Sequence, residues 1–92
     1  MGLFYLNQGM YDKAKIEFEK EIEIDRGQFV AYHSLGRIYA QKNNLKEAER
    51  YFLKTLEINP DYVLARQDLV VLYFSQNKHP LAVVQLKELL RV

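Results

Sequence analysis

The residues best suited to chemistry are two histidines and a run of glutamates, and neither set has the spacing that chemistry needs. His33 and His79 lie 46 positions apart, and four glutamates alternate at every second position between residues 17 and 23. On a helix, that alternation spreads carboxylates around the circumference and does not pair them as general acid–base catalysis requires. We therefore expect no metal site, no cofactor and no enzymatic activity.

Other functional classes are disfavoured by what the chain lacks. There is no cysteine for disulfides or zinc–thiolate sites, and no glycine-rich phosphate loop. Thirteen basic side chains face twelve acidic ones, for a net charge of +1, whereas a nucleic-acid binder normally carries a basic excess. No apolar run approaches the roughly 20 residues that span a bilayer, and the first residues do not resemble a signal peptide. We expect no nucleic-acid partner, no membrane insertion and a cytoplasmic location.

A period of 34 residues runs through the chain. Sliding the sequence against itself by that distance brings aromatic, small and aliphatic side chains into line. The aligned sets are Tyr5, Tyr39 and Tyr73; Ala14, Ala48 and Ala82; Phe18, Phe52 and Leu86; and Ile22, Leu56 and Leu90. So many matches at one offset in 92 residues identify an internal repeat.

Each repeat unit is predicted to form two helices joined by a short turn. In the middle copy, apolar residues recur every three to four positions on both sides of Asn43, an asparagine suited to left-handed turn backbone. Pro60 ends the second helix of that copy, and Pro80 fits the first turn of the last helix. No segment alternates as a strand would, so the fold class is all-α.

Small residues in the repeat predict where the paired helices approach most closely. Gly36 and the aligned alanines at 14, 48 and 82 leave room for helix axes about 8–10 Å apart. Tyr39 and Phe52 are expected to fill the space on either side. These positions therefore belong to the core.

The residues Leu35-Gly36, Tyr39, Ala48, Phe52 and Pro60, within a unit of 34, resemble the tetratricopeptide repeat. The resemblance extends over the whole chain and implies a right-handed superhelical stack of antiparallel helix hairpins, with about 2.5–3 repeats. The units would be 1–28, 29–62 and 63–92. The first lacks about six residues of its first helix. Arg66 and Val70 replace the early aromatic and the glycine in the third unit.

The family resemblance implies a protein-interaction module in which the first helices of successive units line a concave groove. A peptide or helix of a partner protein would lie there. The carried-over groove positions are Leu3, Leu6, Asn7, Val30, His33, Arg37, Ala40, Gln41, Leu64, Gln67, Val71, Phe74 and Ser75. Alternatively, Val30, Leu64 and Val71 pack at the periphery of a tight superhelix. The carboxylate clamp of the family's chaperone-tail binders is absent, since Asp68 lies near one of its places.

The last helix is apolar around much of its circumference, with Leu86, Leu89 and Leu90 near its end. Three explanations are open: the chain is a fragment of a longer array, the helix closes a natural stack, or it pairs with another copy. Residues 1–28 carry four basic and six acidic side chains, and residues 63–92 carry four and two. These opposite charges favour head-to-tail contact between copies. A structural self-assembly unit is therefore the alternative function. We expect the isolated chain to self-associate.

Overall fold

The computed structural model describes residues 9–91, which contain five α-helices and no strand. The helices are α1 (Tyr11–Ile24), α2 (Phe29–Gln41), α3 (Leu45–Ile58), α4 (Val63–Ser75) and α5 (His79–Leu90). Each helix packs against the next one along the chain. This arrangement confirms the all-α stack of helical hairpins that the repeat predicts.

The turns inside the hairpins repeat their backbone geometry. Asn43 and Asn77, 34 positions apart, have φ of 60° and 58°, and Gly9, another 34 positions earlier, has φ of 72°. After α2, the Asn44 amide donates to the Tyr39 carbonyl, and after α4, Lys78 donates to Tyr73 in the same way. These bonds satisfy carbonyls at the helix ends, as left-handed caps do. The predicted asparagine turns are confirmed.

The loops between successive hairpins also share a local hydrogen bond. Asp25 Oδ1 accepts from the Gly27 amide at 2.9 Å, and Asn59 Oδ1 accepts from the Asp61 amide at 3.2 Å. A side chain that bonds the backbone two residues on stabilises a turn against helix continuation. The repeat therefore includes the polar residues that end α1 and α3.

The predicted close approach between paired helices is confirmed in the α2–α3 hairpin. A Cβ atom at Gly36 would lie 2.6 Å from the Phe52 ring, a distance that real Cβ contacts essentially never show. Phe52 is itself buried, as are Ala14, Ala48 and Ala82. Only glycine permits this separation, because the ring fills the space that any side chain would need.

The core consists of two adjoining clusters along the stack. One joins α1 to α2 through Ala14, Phe18, Ala31, Leu35 and Ile38. The other joins α3, α4 and α5 through Ala48, Phe52, Leu56, Ala65, Leu69, Leu72, Tyr73 and Ala82. Tyr39 packs against this second cluster and stacks on Tyr51, with ring centroids 5.4 Å apart. The two clusters therefore hold successive helices of the stack together, with α2 and α4 as the first helices of their hairpins.

Candidate functional site

A cavity of about 570 Å³ lies between α2 and α4. Its lining consists of Arg37, Ala40, Gln41, Asn43, Leu45, Phe52, Asp68, Val71, Leu72 and Ser75. We call this cavity, with the exposed side chains of α2 and α4 beside it, the α2–α4 groove. Five residues assigned to a groove from the sequence meet here: Arg37, Ala40, Gln41, Val71 and Ser75.

Apolar side chains on both helices remain open to solvent. Val71 is 68% exposed within the cavity lining. Val30 and Leu64 are also exposed, and each lies two helical turns before a lining residue of its own helix. The neighbouring hairpins in the described part of the chain do not bury these side chains. Their exposure argues against the alternative in which they serve only as peripheral packing.

Phe74 and Gln67 are exposed on α4 but do not line the cavity. The Phe74 ring meets the His79 ring edge-on, with centroids 5.4 Å apart. The Phe74 side chain therefore packs against the start of α5. Leu3, Leu6 and Asn7, also assigned to the groove from the sequence, lie outside the described residues.

The prediction for His33 was wrong in one respect, because its side chain is not an open polar group. His33 is only 5% exposed, and its ring lies near Phe52 and edge-on to Tyr62. His33 Nε2 is 2.6 Å from Asp68 Oδ2. An ionised carboxylate only accepts hydrogen bonds, so Nε2 carries the proton and donates. His33 thus links α2 to α4 beneath the groove surface.

Asp68 is a residue of the candidate site that sequence reasoning missed. It was noted only as incompatible with a carboxylate clamp, yet it lines the cavity and accepts the bond from His33. A signal was available, since His33 and Asp68 are 35 positions apart. One position more than the repeat places them on facing surfaces of adjacent first helices. A histidine and a carboxylate at that offset are candidates for a cross-repeat hydrogen bond, but the period alone does not fix whether they meet.

The two polar side chains of α2 that line the groove differ in whether they form a hydrogen bond with another residue. Gln41 Nε2 donates to the Tyr11 hydroxyl at 3.2 Å, which ties the end of α2 to α1. Arg37 is exposed and forms no ion pair or hydrogen bond with another residue between 9 and 91. Among the described residues, the groove therefore presents a guanidinium without a partner beside apolar surface.

A second cavity, of about 330 Å³, lies among α1, α2 and α3, lined by Glu19, Ile22, Tyr32, Leu35, Arg50, Tyr51 and Lys54. Its charged rim is already paired, since Arg50 bonds Glu47 and Lys54 bonds Glu57. Burial raises the pKa of the Tyr51 hydroxyl, which keeps that side chain neutral. Internal pairing leaves this cavity with less to offer a partner than the α2–α4 groove.

The last helix, α5, buries a single residue, Ala82. Leu86 and Leu89 are half-buried, while Leu90 is 78% exposed. Leu81, Val83 and Val84 add further exposed apolar surface. Among residues 9–91, no helix is long and apolar enough to cross a bilayer, and no three acidic or histidine side chains converge as metal ligands.

Two matches to family profiles describe the chain. Residues 1–28 and residues 29–62 each match a profile described as a tetratricopeptide repeat. The uncharacterized protein ycf37 of Cyanophora paradoxa is 31% identical over 98% of this chain and 55% of its own length. Superkiller complex protein 3 of Homo sapiens is 24% identical over 98% of the chain and 6% of its own length.

A further relative is anaphase-promoting complex subunit 3 of Schizosaccharomyces pombe, 26% identical over 97% of the chain and 13% of its own length. The chain thus spans about half, or far less, of the length of these relatives. The two profile matches cover residues 1–62 in succession. After them, α4 and α5 form one more helical hairpin of the same kind. The chain belongs to the tetratricopeptide repeat family, whose members are in general protein-interaction modules.

Proposed function

We propose that this chain binds a segment of a partner protein in the α2–α4 groove. The observation that carries the proposal is the cavity between two successive first helices, with exposed Val71 on one wall and, on the other, Arg37, which has no ion-pair partner among residues 9–91. Exposed apolar side chains beside a few polar groups are what peptide-binding grooves use. Two of the relatives are named as members of multiprotein complexes, which fits a binding role.

The test uses a random twelve-residue peptide library displayed on phage and selected on the immobilised chain. Selected peptides are then synthesised, and their affinities are measured by fluorescence polarisation. Val71→Glu places a charge on the groove wall and is expected to weaken binding at least tenfold, because an apolar contact is replaced by a carboxylate that must be desolvated. Circular dichroism checks that the variant keeps its fold.

Leu53→Glu is the matched control, since Leu53 is 45% exposed on α3 and does not line the groove. It should leave peptide affinity within about twofold, as expected for a surface change away from the site. Peptides that bind Val71→Glu as well as the unaltered chain would show that the groove is not the binding surface.

The alternative is a self-assembly unit whose functional surface is α5. The exposed apolar side chains of that helix favour it, as does the opposite charge of residues 1–28 and residues 63–92. The contact would involve Leu86, Leu89 and Leu90 of one copy. Analytical ultracentrifugation of the chain and of Leu90→Glu decides this alternative: an assembly that the substitution dissolves supports it, and a monomer at high concentration excludes it.

A further inference from the structure

We infer that the segment bound in the α2–α4 groove carries an acidic side chain next to a bulky apolar one. This inference rests on the proposed groove function and specifies the chemistry of the partner. Arg37 and Val71 line one cavity from opposite helices, so a bound segment touches both. The apolar residue contacts Val71, Ala40 and Leu72, and the acidic residue pairs with Arg37.

Two charged side chains line the groove, and they differ in whether another residue already engages them. Arg37 has no ion-pair or hydrogen-bond partner among the described residues, whereas Asp68 Oδ2 accepts the bond from His33. No ion pair joins Arg37 to Asp68, although both line the cavity. Arg37 is therefore the basic side chain of the cavity lining that has no partner among the described residues, and its complement in a partner protein is a carboxylate.

Asp68 also sets the position of that carboxylate. His33 lies one helical turn before Arg37, so Asp68, bonded to His33, marks one end of the groove. Like charges repel, and an acidic side chain would therefore sit on the far side of Arg37, towards Gln41 and Ser75. A guest residue near Asp68 would instead donate a hydrogen bond or carry a positive charge.

The nearby basic side chain of Lys42 does not compete for the guest. Its amine is paired with the Asp12 carboxylate of α1, and this ion pair lowers the pKa of Asp12 through the hydrogen bond and charge of Lys42. Lys42 follows α2 directly but is committed to the contact between α1 and the turn. Charge recognition in the groove is thus assigned to Arg37 alone.

The experiment is a pair of parallel selections from the twelve-residue phage library, on the unaltered chain and on Arg37→Glu. The unaltered chain should enrich peptides with Asp or Glu within four positions of a bulky apolar residue. Arg37→Glu should enrich Lys or Arg at that position. An acidic peptide from the first selection should bind Arg37→Glu roughly 5- to 30-fold more weakly, because an attraction becomes a repulsion.

Lys46→Glu is the control with the same change of charge. Lys46 is exposed on α3 without a partner among the described residues, and it lies opposite the buried face of that helix. Because Lys46 does not line the groove and is exposed to screening salt, the substitution should change affinity by less than twofold at 0.15 M salt. The inference is overturned if both selections return the same consensus, or if Lys46→Glu weakens binding as much as Arg37→Glu.

The outcomes separate this inference from the proposed function. Peptides that lose affinity for Val71→Glu but show no acidic preference would leave the groove function standing and refute the role of Arg37. Peptides that are insensitive to Val71→Glu, or a selection that enriches nothing over the Val71→Glu chain, would refute both.

Discussion

The two hairpins between residues 29 and 90 follow one repeat but have different residues where their paired helices meet. In the α2–α3 hairpin, Gly36 has no side chain and the Phe52 ring occupies the space. In the α4–α5 hairpin, Val70 and Leu86 stand at the corresponding positions. The first hairpin pairs a glycine, which has no side chain, with a large aromatic ring. The second has two aliphatic side chains of medium size at these positions. The two hairpins thus distribute side-chain volume differently at the same positions of the repeat.

The second helices of the two hairpins also differ in burial. Four residues of α3 are buried, because α2 and α4 both pack on it. A single residue of α5 is buried, since α4 is its one neighbour in the described chain. Helix stability in a stack comes from neighbours, so α5 should be the weaker of the two. The following substitutions test this comparison, from the largest expected effect to the smallest.

Replacing the aligned large residues should give the largest contrast. Phe52→Ala should reduce the free energy of unfolding by about 3–5 kcal/mol, because it empties a fully buried site in contact with Gly36. Leu86→Ala should cost only about 1–2 kcal/mol, since Leu86 is half-buried. Urea denaturation followed by circular dichroism measures both. Equal losses would refute the proposed difference between the hairpins.

Positions 36 and 70, which are aligned in the repeat, should differ in the side-chain volume that they tolerate. Adding volume should destabilise the α2–α3 hairpin, and removing volume should destabilise the α4–α5 hairpin. Gly36→Ala should destabilise the chain by about 1–2 kcal/mol, because the clash with Phe52 outweighs the better helix propensity of alanine. Val70→Ala should destabilise by about 1–2 kcal/mol for the converse reason, the loss of buried methyl groups. Thermal unfolding of the two variants checks both values. A stabilised Gly36→Ala chain would contradict the close contact.

The aligned residues Tyr39 and Tyr73 should show a smaller difference in stability between the two hairpins. The buried Tyr73 hydroxyl donates to Glu49 Oε2 at 2.7 Å, whereas the half-buried Tyr39 ring stacks on Tyr51. Tyr73→Phe should cost about 1–2 kcal/mol by leaving Glu49 without its donor, and Tyr39→Phe about 0.5 kcal/mol. Denaturation midpoints for the two variants should therefore differ, and equal midpoints would count against the Tyr73–Glu49 bond.

The same tyrosine predicts a loss of stability in alkali. Burial, and then the hydrogen bond to Glu49, raise the pKa of Tyr73 above its ordinary value of 10.0. Above pH 10 the unfolded chain releases this proton while the folded chain retains it, so stability falls as the pH rises. Unfolding between pH 8 and 11.5 should show a steeper decline for the unaltered chain than for Tyr73→Phe. Parallel curves would contradict the assignment.

The smallest expected effect on stability belongs to α5. Leu90→Glu should change the free energy of unfolding by no more than about 0.5 kcal/mol, because Leu90 is 78% exposed. A large loss in a monomeric sample would mean that Leu90 contributes to the fold itself. Equilibrium denaturation at low protein concentration distinguishes the two outcomes.

Periodicity predicted most of the fold, because the features that it encodes are local. The asparagine turns, the ends of α2 and α3 and the glycine contact depend on residues within one unit of 34. The family resemblance assigned Arg37 and Val71 to the groove on successive first helices, and both line the cavity.

The burial of His33 was not predictable from the period. Its ring is covered by Phe52 from the second helix and by Tyr62 from the loop before α4, and its proton goes to Asp68 in the next unit. These contacts depend on how far one hairpin rotates against the next, and the spacing of apolar residues does not encode that angle. Non-local geometry thus decides which inner-face residues remain open to a partner.

The central claim is that a guest lies against α2 and α4, and nuclear magnetic resonance tests it most directly. A selected peptide is titrated into the ¹⁵N-labelled chain while amide chemical shifts are recorded. The largest shifts are expected at Arg37, Gln41, Val71 and Ser75, which line the cavity between the two helices. Shifts confined to α5, or to the cavity among α1, α2 and α3, would contradict it.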